Sequence, residues 1–301
     1  MESVTSLPPT RLRIAAIRFL NPAPLMWDFE HPPLADPLAA RYQLDWMLPS
    51  ECADSLAAGT AEIGLIPIAA LPLNPTLSIL PGCVIASKKK VRSLLLIRRA
   101  AQELKDLRSV AADTASRATL AYTRILFHRW QNPSVPFLPM TADLDQMLAQ
   151  ADAAILIGDP ALLALEDAPA RLARTGEPLV YHDLAEEWEL ATGLPWVSAV
   201  WGAAHGNSLK KDIALHKNVA LGQSVAEDFL RSRDHGLKNI DALARQWAPR
   251  IGLTEDNVRL YLTENIHYVL DRECLEAMRC FFSLAAQLRV LPAYSLPALN
   301  I

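Results

Sequence analysis

The stretch RLRIAAIRFLNPAPL, residues 11–25, poses the question on which the fold turns. Its first part predicts a strand over Leu12 to Leu20, and that strand runs into Asn21 with Pro22 and Pro24 just behind. Neither proline can donate a backbone hydrogen bond, so sheet pairing has to stop there. An amide side chain at such a strand end offers donors and an acceptor. The bland reading is a turn asparagine; the functional one is an asparagine held in a ligand cleft.

Working outward, Tyr42 to Leu48 predicts a second strand. Pro49-Ser50-Glu51 predicts a helix start, with Ser50 as cap and Glu51 at the positive end of the dipole. Gly59 suits the end of that helix, and Glu62 to Ile66 predicts a short strand closed by Pro67. Strand, helix and strand with brief connections is an α/β pattern. It continues with strands at Ser93 to Ile97, Ser109 to Ala112 and Ala153 to Ile157, and a helix from Asp113-Thr114-Ala115-Ser116 towards Trp130. Gly158-Asp159-Pro160 predicts another helix start, with Asp159 as N-cap and Pro160 at the first helical position. WVSAVWGAA, residues 196–204, predicts a last strand. Beyond it the chain reads as mostly helical: Thr254 is a cap, and Val258, Tyr261, Leu262, Ile266 and Val269 recur at helical spacing. The length of 301 residues suits two lobes. The expected division is 11–96 with 197–301 as one lobe and 97–196 as the other, with a small-molecule cleft between them.

Composition narrows the function classes. The chain is 51% hydrophobic and 21% charged, ordinary for a globular enzyme or binding protein. A net charge of −4 gives no global attraction for nucleic acid or an anionic membrane, so an anionic ligand must be held by local donors. No apolar run approaches the roughly 20 residues that span a bilayer. MESVTSLPPT has no apolar signal region, which predicts a cytoplasmic protein. Cys52, Cys83, Cys274 and Cys280 form neither a CxxC pair nor a zinc spacing and are expected to be reduced and mostly buried. GxSxG, HExxH, GxxxxGK[ST] and GxGxxG are all missing, and the seven histidines are scattered, His182 and His205 among them.

Three further stretches concentrate polar groups at strand or helix ends. In VIASKKKVRSLLL, residues 84–96, Ser87, Arg92 and Ser93 sit with Lys88, Lys89 and Lys90 just before a buried strand. This is either a solvated basic hairpin or an anion site. In DTASRAT, residues 113–119, Thr114 and Ser116 lie where free helix N–H groups attract an anion, and Arg117 can add a bidentate contact. Simple capping is the competing reading. In LIGDPAL, residues 156–162, Gly158 permits close backbone approach, and Asp159 suits a cap better than a catalytic acid. Trp188, Trp196 and Trp201 could wall a cleft, although large aromatics more often fill cores.

Taken in order, LNPAPL, LAAGTAEIGLIP, IASKKKVRSLLL, DTASRAT, LIGDPAL and DLAEEWELATGLPWVSAVW resemble the chorismate dehydratase family of the futalosine route to menaquinone. The resemblance runs from Leu12 to about Pro292 and departs at Glu62, Ile68 and Ala118-Thr119. It implies an α/β fold of the type II periplasmic-binding-protein kind, with two lobes, a cleft between them and a helical C-terminal segment, used inside the cell as an enzyme. It implies no metal and no organic cofactor, and chorismate as small-molecule partner, with no nucleic acid and no membrane. Oligomeric state is left open. The family's asparagine falls on Asn21 and its serines on Ser87 and Ser93, with Asn21 and Ser87 expected to be catalytic. Its threonine and serine at the second-lobe helix start fall on Thr114 and Ser116. These join Ser93 and, from the residue reading, Arg92, Arg117, Gly158 and Asp159 as expected substrate-binding groups. The alternatives are the related 1,4-dihydroxy-6-naphthoate synthase, which a cleft histidine would favour, and a non-catalytic small-anion binder such as a transporter's solute-binding protein or a ligand sensor.

Overall fold

The computed structural model describes residues 11–115, 117–204 and 225–299. Two sheets organise them. The first has six strands in the order β11-β4-β10-β3-β1-β2, with β1 at Leu12–Ile17, β2 at Tyr42–Met47, β3 at Ile63–Pro67, β4 at Ser78–Ser87, β10 at Trp196–Ala203 and β11 at His267–Val269. The second has five in the order β7-β6-β8-β5-β9, with β5 at Leu94–Arg99, β6 at Val110–Asp113, β7 at Phe137–Met140, β8 at Ala153–Ile157 and β9 at Leu179–Asp183. Strand β1 pairs in parallel with β2 and β3, and β6 with β7 and β8, while β10 and β5 run antiparallel to their neighbours. All residues of β3 and β8 are buried, as sheets covered on both faces require.

Local chemistry revises several expectations. Strand β1 ends at Ile17 rather than Leu20, although the Arg18 N–H still reaches the Met47 carbonyl at 3.2 Å. The helix Pro49–Ala57 starts two residues earlier than a Ser50 cap would set it. Pro49 is pre-shaped for the first helical position, so Leu48 becomes the cap residue and Glu51 accepts its N–H at 2.6 Å. Val269 does not continue a helical face. The helix Glu255–Leu260, capped by Thr254 as expected, widens into a π-turn at Tyr261–Asn265 and then becomes β11, where Val269 is exposed. Strand β4 was hidden by Pro81-Gly82 in its interior; bulges opposite it, between Val197 and Ala199 and between Val200 and Gly202, absorb the interruption.

The chain after β10 returns to the first sheet. The helix Val225–Lys238 packs on the turn Ala23–Met26 and on β4. Buried Asp228 accepts the Tyr42 hydroxyl at 2.8 Å and pairs with Arg41 at 2.6 Å and Arg231 at 2.9 Å. Arg231 also reaches buried Asp28 at 3.1 Å, so every buried carboxylate oxygen there faces a donor. The helix Arg272–Gln287 brings Phe281 onto Tyr122, which in turn stacks on Trp196 with ring centroids 3.8 Å apart. Trp188, Trp196 and Trp201 are all fully buried and belong to the core. The cysteines are free, with Cys52, Cys83 and Cys274 buried and Cys280 partly so. Among the described residues no helix is long and apolar enough to cross a membrane.

Candidate functional site

Strand direction decides where the polar groups collect. In the first sheet the C-terminal ends of β1, β2 and β4 and the N-terminal end of antiparallel β10 share one edge. In the second, the C-terminal ends of β6, β8 and β9 share an edge with the N-terminal end of antiparallel β5. Asn21 and Ser87 therefore lie on one edge; Ser93, Thr114, Gly158 and Asp159 lie on the other. The edges meet: the Leu20 N–H donates to Asp159 Oδ1 at 3.0 Å, and the Ser50 N–H to the Ala115 carbonyl at 3.2 Å. Ligands of open α/β sheets bind at this kind of edge.

Asp159 is not the cap expected of it. Gly158 takes the cap position at φ 63°, ψ −143°, Asp159 becomes the first residue of the helix Asp159–Glu166, and its carboxylate turns across the cleft. Gly158 is required twice over, because that backbone shape is nearly closed to other residues and a Cβ would stand 2.7 Å from the Phe19 ring. The Gly158 N–H donates to the Ser93 carbonyl at 2.8 Å, and the Ser93 hydroxyl accepts from Tyr261 at 2.7 Å. The Asn21 carbonyl accepts the Tyr268 hydroxyl at 3.0 Å, while Asn21 Oδ1 is buried with no partner among the described residues. A buried amide oxygen left unpaired costs about 1–3 kcal/mol, and this one lies where the two edges meet.

The other candidates are spread along the same junction. Ser87 is buried at the end of β4, and its hydroxyl donates to the Lys90 carbonyl at 3.1 Å or that of Lys89 at 3.2 Å. Thr114 is exposed at the rim beyond β6. Arg117 joins the sheets through Asp54, touching its two oxygens at 2.7 and 2.8 Å. Arg92 pairs with Glu166 and sits at φ 62°, an unusual shape for a residue with a side chain. Asp183 holds that shape in place by accepting the Val91 and Arg92 N–H groups at 3.0 and 2.6 Å, together with those of Ala185 and Glu186. Ser116 and His205 lie outside the described residues. His182 bonds Glu187 at 2.9 Å and Arg98 at 3.0 Å. Tyr261, Tyr268 and Asp183 are the groups sequence reasoning missed. Two tyrosines beside apolar helix positions signalled buried hydroxyls in need of acceptors, but not which ones.

One group of metal-ligand type exists among the described residues. His267, Asp271 and Cys274 bring ligand atoms within 4.8 Å of one another. The Lys88 ammonium already occupies Asp271 at 3.0 Å and Glu273 at 2.7 Å, so a metal ion would have to displace it.

The carboxyl groups on the second edge share one electrostatic tendency. Burial pushes Asp159 from the ordinary 3.8 up to about 6, against the opposing pull of the Leu20 N–H. Burial likewise raises Asp113, against N–H groups of Ala115 and Ile157, and Asp183, against its four N–H donors. Because the folded chain holds the Asp159 proton more tightly than the unfolded chain, it gains stability from that proton at low pH. This gain is lost as pH rises from 3.8 through about 6. Asp159→Asn is expected to flatten the fall: its urea midpoint, compared with wild type, should rise across this window and hold level above it. Parallel curves for the two proteins would show that Asp159 titrates as it does in water.

Two α/β sheets apposed along a polar edge, with the chain crossing between them and a helical tail returning to the first, define the periplasmic-binding-protein-like class. Solved structures agree on the fold. The chain is similar to protein AF1704 from Archaeoglobus fulgidus at TM-score 0.69 and 13% identity, covering 93% of this chain and 98% of that one. It is similar to the alkanesulfonate-binding protein SsuA from Xanthomonas axonopodis pv. citri, bound to MOPS, at TM-score 0.61 and 16% identity over 95% and 96% of the two chains. A Candida albicans protein described as having the generic periplasmic binding protein fold matches at TM-score 0.61 and 12% identity, over 95% and 92%. The family described as "Menaquinone biosynthesis" matches residues 12–287, and the chain belongs to that family. Its role is in the menaquinone pathway.

Proposed function

We propose that this protein is a chorismate dehydratase, eliminating water from chorismate to give 3-[(1-carboxyvinyl)oxy]benzoate. The observation that carries the reading is the buried Asn21 Oδ1, unpartnered among the described residues, at a junction rich in hydroxyl and N–H groups, in a chain of the menaquinone biosynthesis family. Chorismate is a dianion with a ring carboxylate, an enolpyruvyl ether at C3 and a hydroxyl at C4. Losing the C3 proton and the C4 hydroxyl makes the ring aromatic, so the driving force resides in the substrate. The protein has to select this elimination over rearrangement or pyruvate loss, which fixing both carboxylates achieves through orientation.

In this reading Ser87, Ser93, Thr114 and Ser116, with nearby N–H groups and Arg92 and Arg117, hold the two carboxylates. Ser93 accepts from Tyr261 and has no acceptor among the described residues, so its proton is available to a ligand. As the C3 proton leaves, charge spreads through the ring diene into the ring carboxylate, where preorganised donors stabilise it. The enolpyruvyl carboxylate takes the proton in a substrate-assisted step. Asn21 positions the departing hydroxyl.

The test is incubation with chorismate, followed by mass and absorbance. A new aromatic species lighter by one water is expected. Chorismate recovered unchanged overturns the proposal, and turnover of a cyclic futalosine derivative instead would assign the neighbouring step.

A further inference from the structure

We infer that Asp159 is the acid that protonates the departing C4 hydroxyl, an assignment that rests on the chorismate reading above. Hydroxide is a poor leaving group, and aromatisation alone does not remove that barrier. A donor is needed on the face where the hydroxyl leaves, and the junction offers a carboxyl arranged for it.

The geometry has three parts. The Asp159 carboxylate crosses from the second sheet to the first, and Oδ1 is fixed by the Leu20 N–H at 3.0 Å. Oδ2 meets no donor among the described residues, so it is the oxygen that can carry a proton. The residue following Leu20 is Asn21, whose buried Oδ1 lacks a donor among the described residues. A hydroxyl group donates once and accepts twice. Seated between these two residues, it donates to Asn21 Oδ1 and accepts from Asp159 Oδ2–H, satisfying both at once. A carboxylate there would satisfy only the acid and leave the amide oxygen facing an acceptor.

The charges around Asp159 are consistent with a protonated state. Tyr261 of the π-turn lies within electrostatic reach of it, and the same tyrosine feels Asp183 of β9. Arg92, a cation that also acts on Tyr261, is engaged by Glu166 of Asp159's own helix. Burial already raises Asp159 to about 6, and a bound dianion adds like charge that raises it further.

The step balances. The C3–H electron pair moves into the ring as the enolpyruvyl carboxylate takes that proton. The C4–O bond breaks with its pair going to oxygen, and Asp159 Oδ2 gives its proton, so water leaves and Asp159 becomes a carboxylate. The proton on the enolpyruvyl carboxyl group then returns to Asp159, leaving a dianionic product and an enzyme ready for another cycle.

The experiment compares wild type with Asp159→Asn, which keeps an oxygen for the Leu20 N–H but has no acidic proton. Expected are a kcat reduced by about 10²-fold with KM changed by less than about threefold, and a wild-type kcat that falls tenfold per pH unit on its alkaline side, a limb missing from the variant. Equal kcat values, or a loss confined to KM, overturn the assignment while leaving the dehydratase reading intact. Should the variant fail to fold, the wild-type profile decides alone, since a kcat level from about pH 5 to about pH 9 excludes an acid of this kind. A wild type inert towards chorismate overturns the dehydratase reading and this assignment with it.

Discussion

Asn21→Ala is expected to lower chorismate turnover by about 10² to 10³-fold, the scale on which enzymes lose rate when one preorganised polar group at the reacting centre is removed. The same change is expected to leave stability level or raise it. The bond that Asn21 contributes to the fold is made by its backbone, whose carbonyl accepts the Tyr268 hydroxyl at 3.0 Å, and alanine keeps it. What alanine removes is an amide oxygen buried without a partner among the described residues, which costs the folded chain without ligand about 1–3 kcal/mol. A structural asparagine would behave the other way, losing stability together with activity. Parallel urea titrations and product-mass assays on the purified variant separate these outcomes. Wild-type turnover with unchanged product would remove Asn21 from the mechanism.

The sequence carried the architecture better than the site. Local signals located the strands that fill the core, because runs such as AAILI in β8 are buried on both faces and are bounded by Asp152 and Gly158. Edge strands were harder. β7 contains Pro139 and is half exposed, and β9 is partly exposed from Leu179 to His182, so neither shows a buried apolar run. The six-residue helix Glu255–Leu260 followed by a π-turn imitated one long amphipathic helix, and Tyr261 was absorbed into its face. The site suffered most because its contacts are distant in sequence. Asp159 obeys a capping pattern locally, yet its carboxylate finds Leu20, 139 residues away, and Tyr268 finds Asn21 across 247. Propensity and spacing within a short window contain nothing about such pairs. The strand-end positions of Asn21, Ser93 and Gly158 were nevertheless legible, and strand direction alone turns those positions into two facing edges.

Gly236→Ala is expected to destabilise the protein by about 3 kcal/mol or more, at or above the upper end of the usual cost of overpacking. Two effects oppose each other. In an exposed helix interior alanine is favoured over glycine by about 1 kcal/mol. Gly236, however, is buried in the helix Val225–Lys238, and a Cβ there would stand 2.0 Å from the Pro24 carbonyl oxygen and 2.6 Å from both Pro24 C and Cα. These are backbone atoms of a tight turn, so no rotamer change relieves the contact and the helix must move outward. That movement strains the bonds from Tyr42 to buried Asp228 and from Arg231 to buried Asp28. It also displaces the turn that follows Asn21, so turnover is expected to fall with stability, unlike the Asn21→Ala case. Lys238→Ala, exposed on the same helix, serves as control and should stay within about 0.5 kcal/mol of wild type. A Gly236→Ala protein as stable as that control would mean that the helix does not rest on the Pro24 turn, and the support assigned to the Asn21 side of the cleft would have to be found elsewhere.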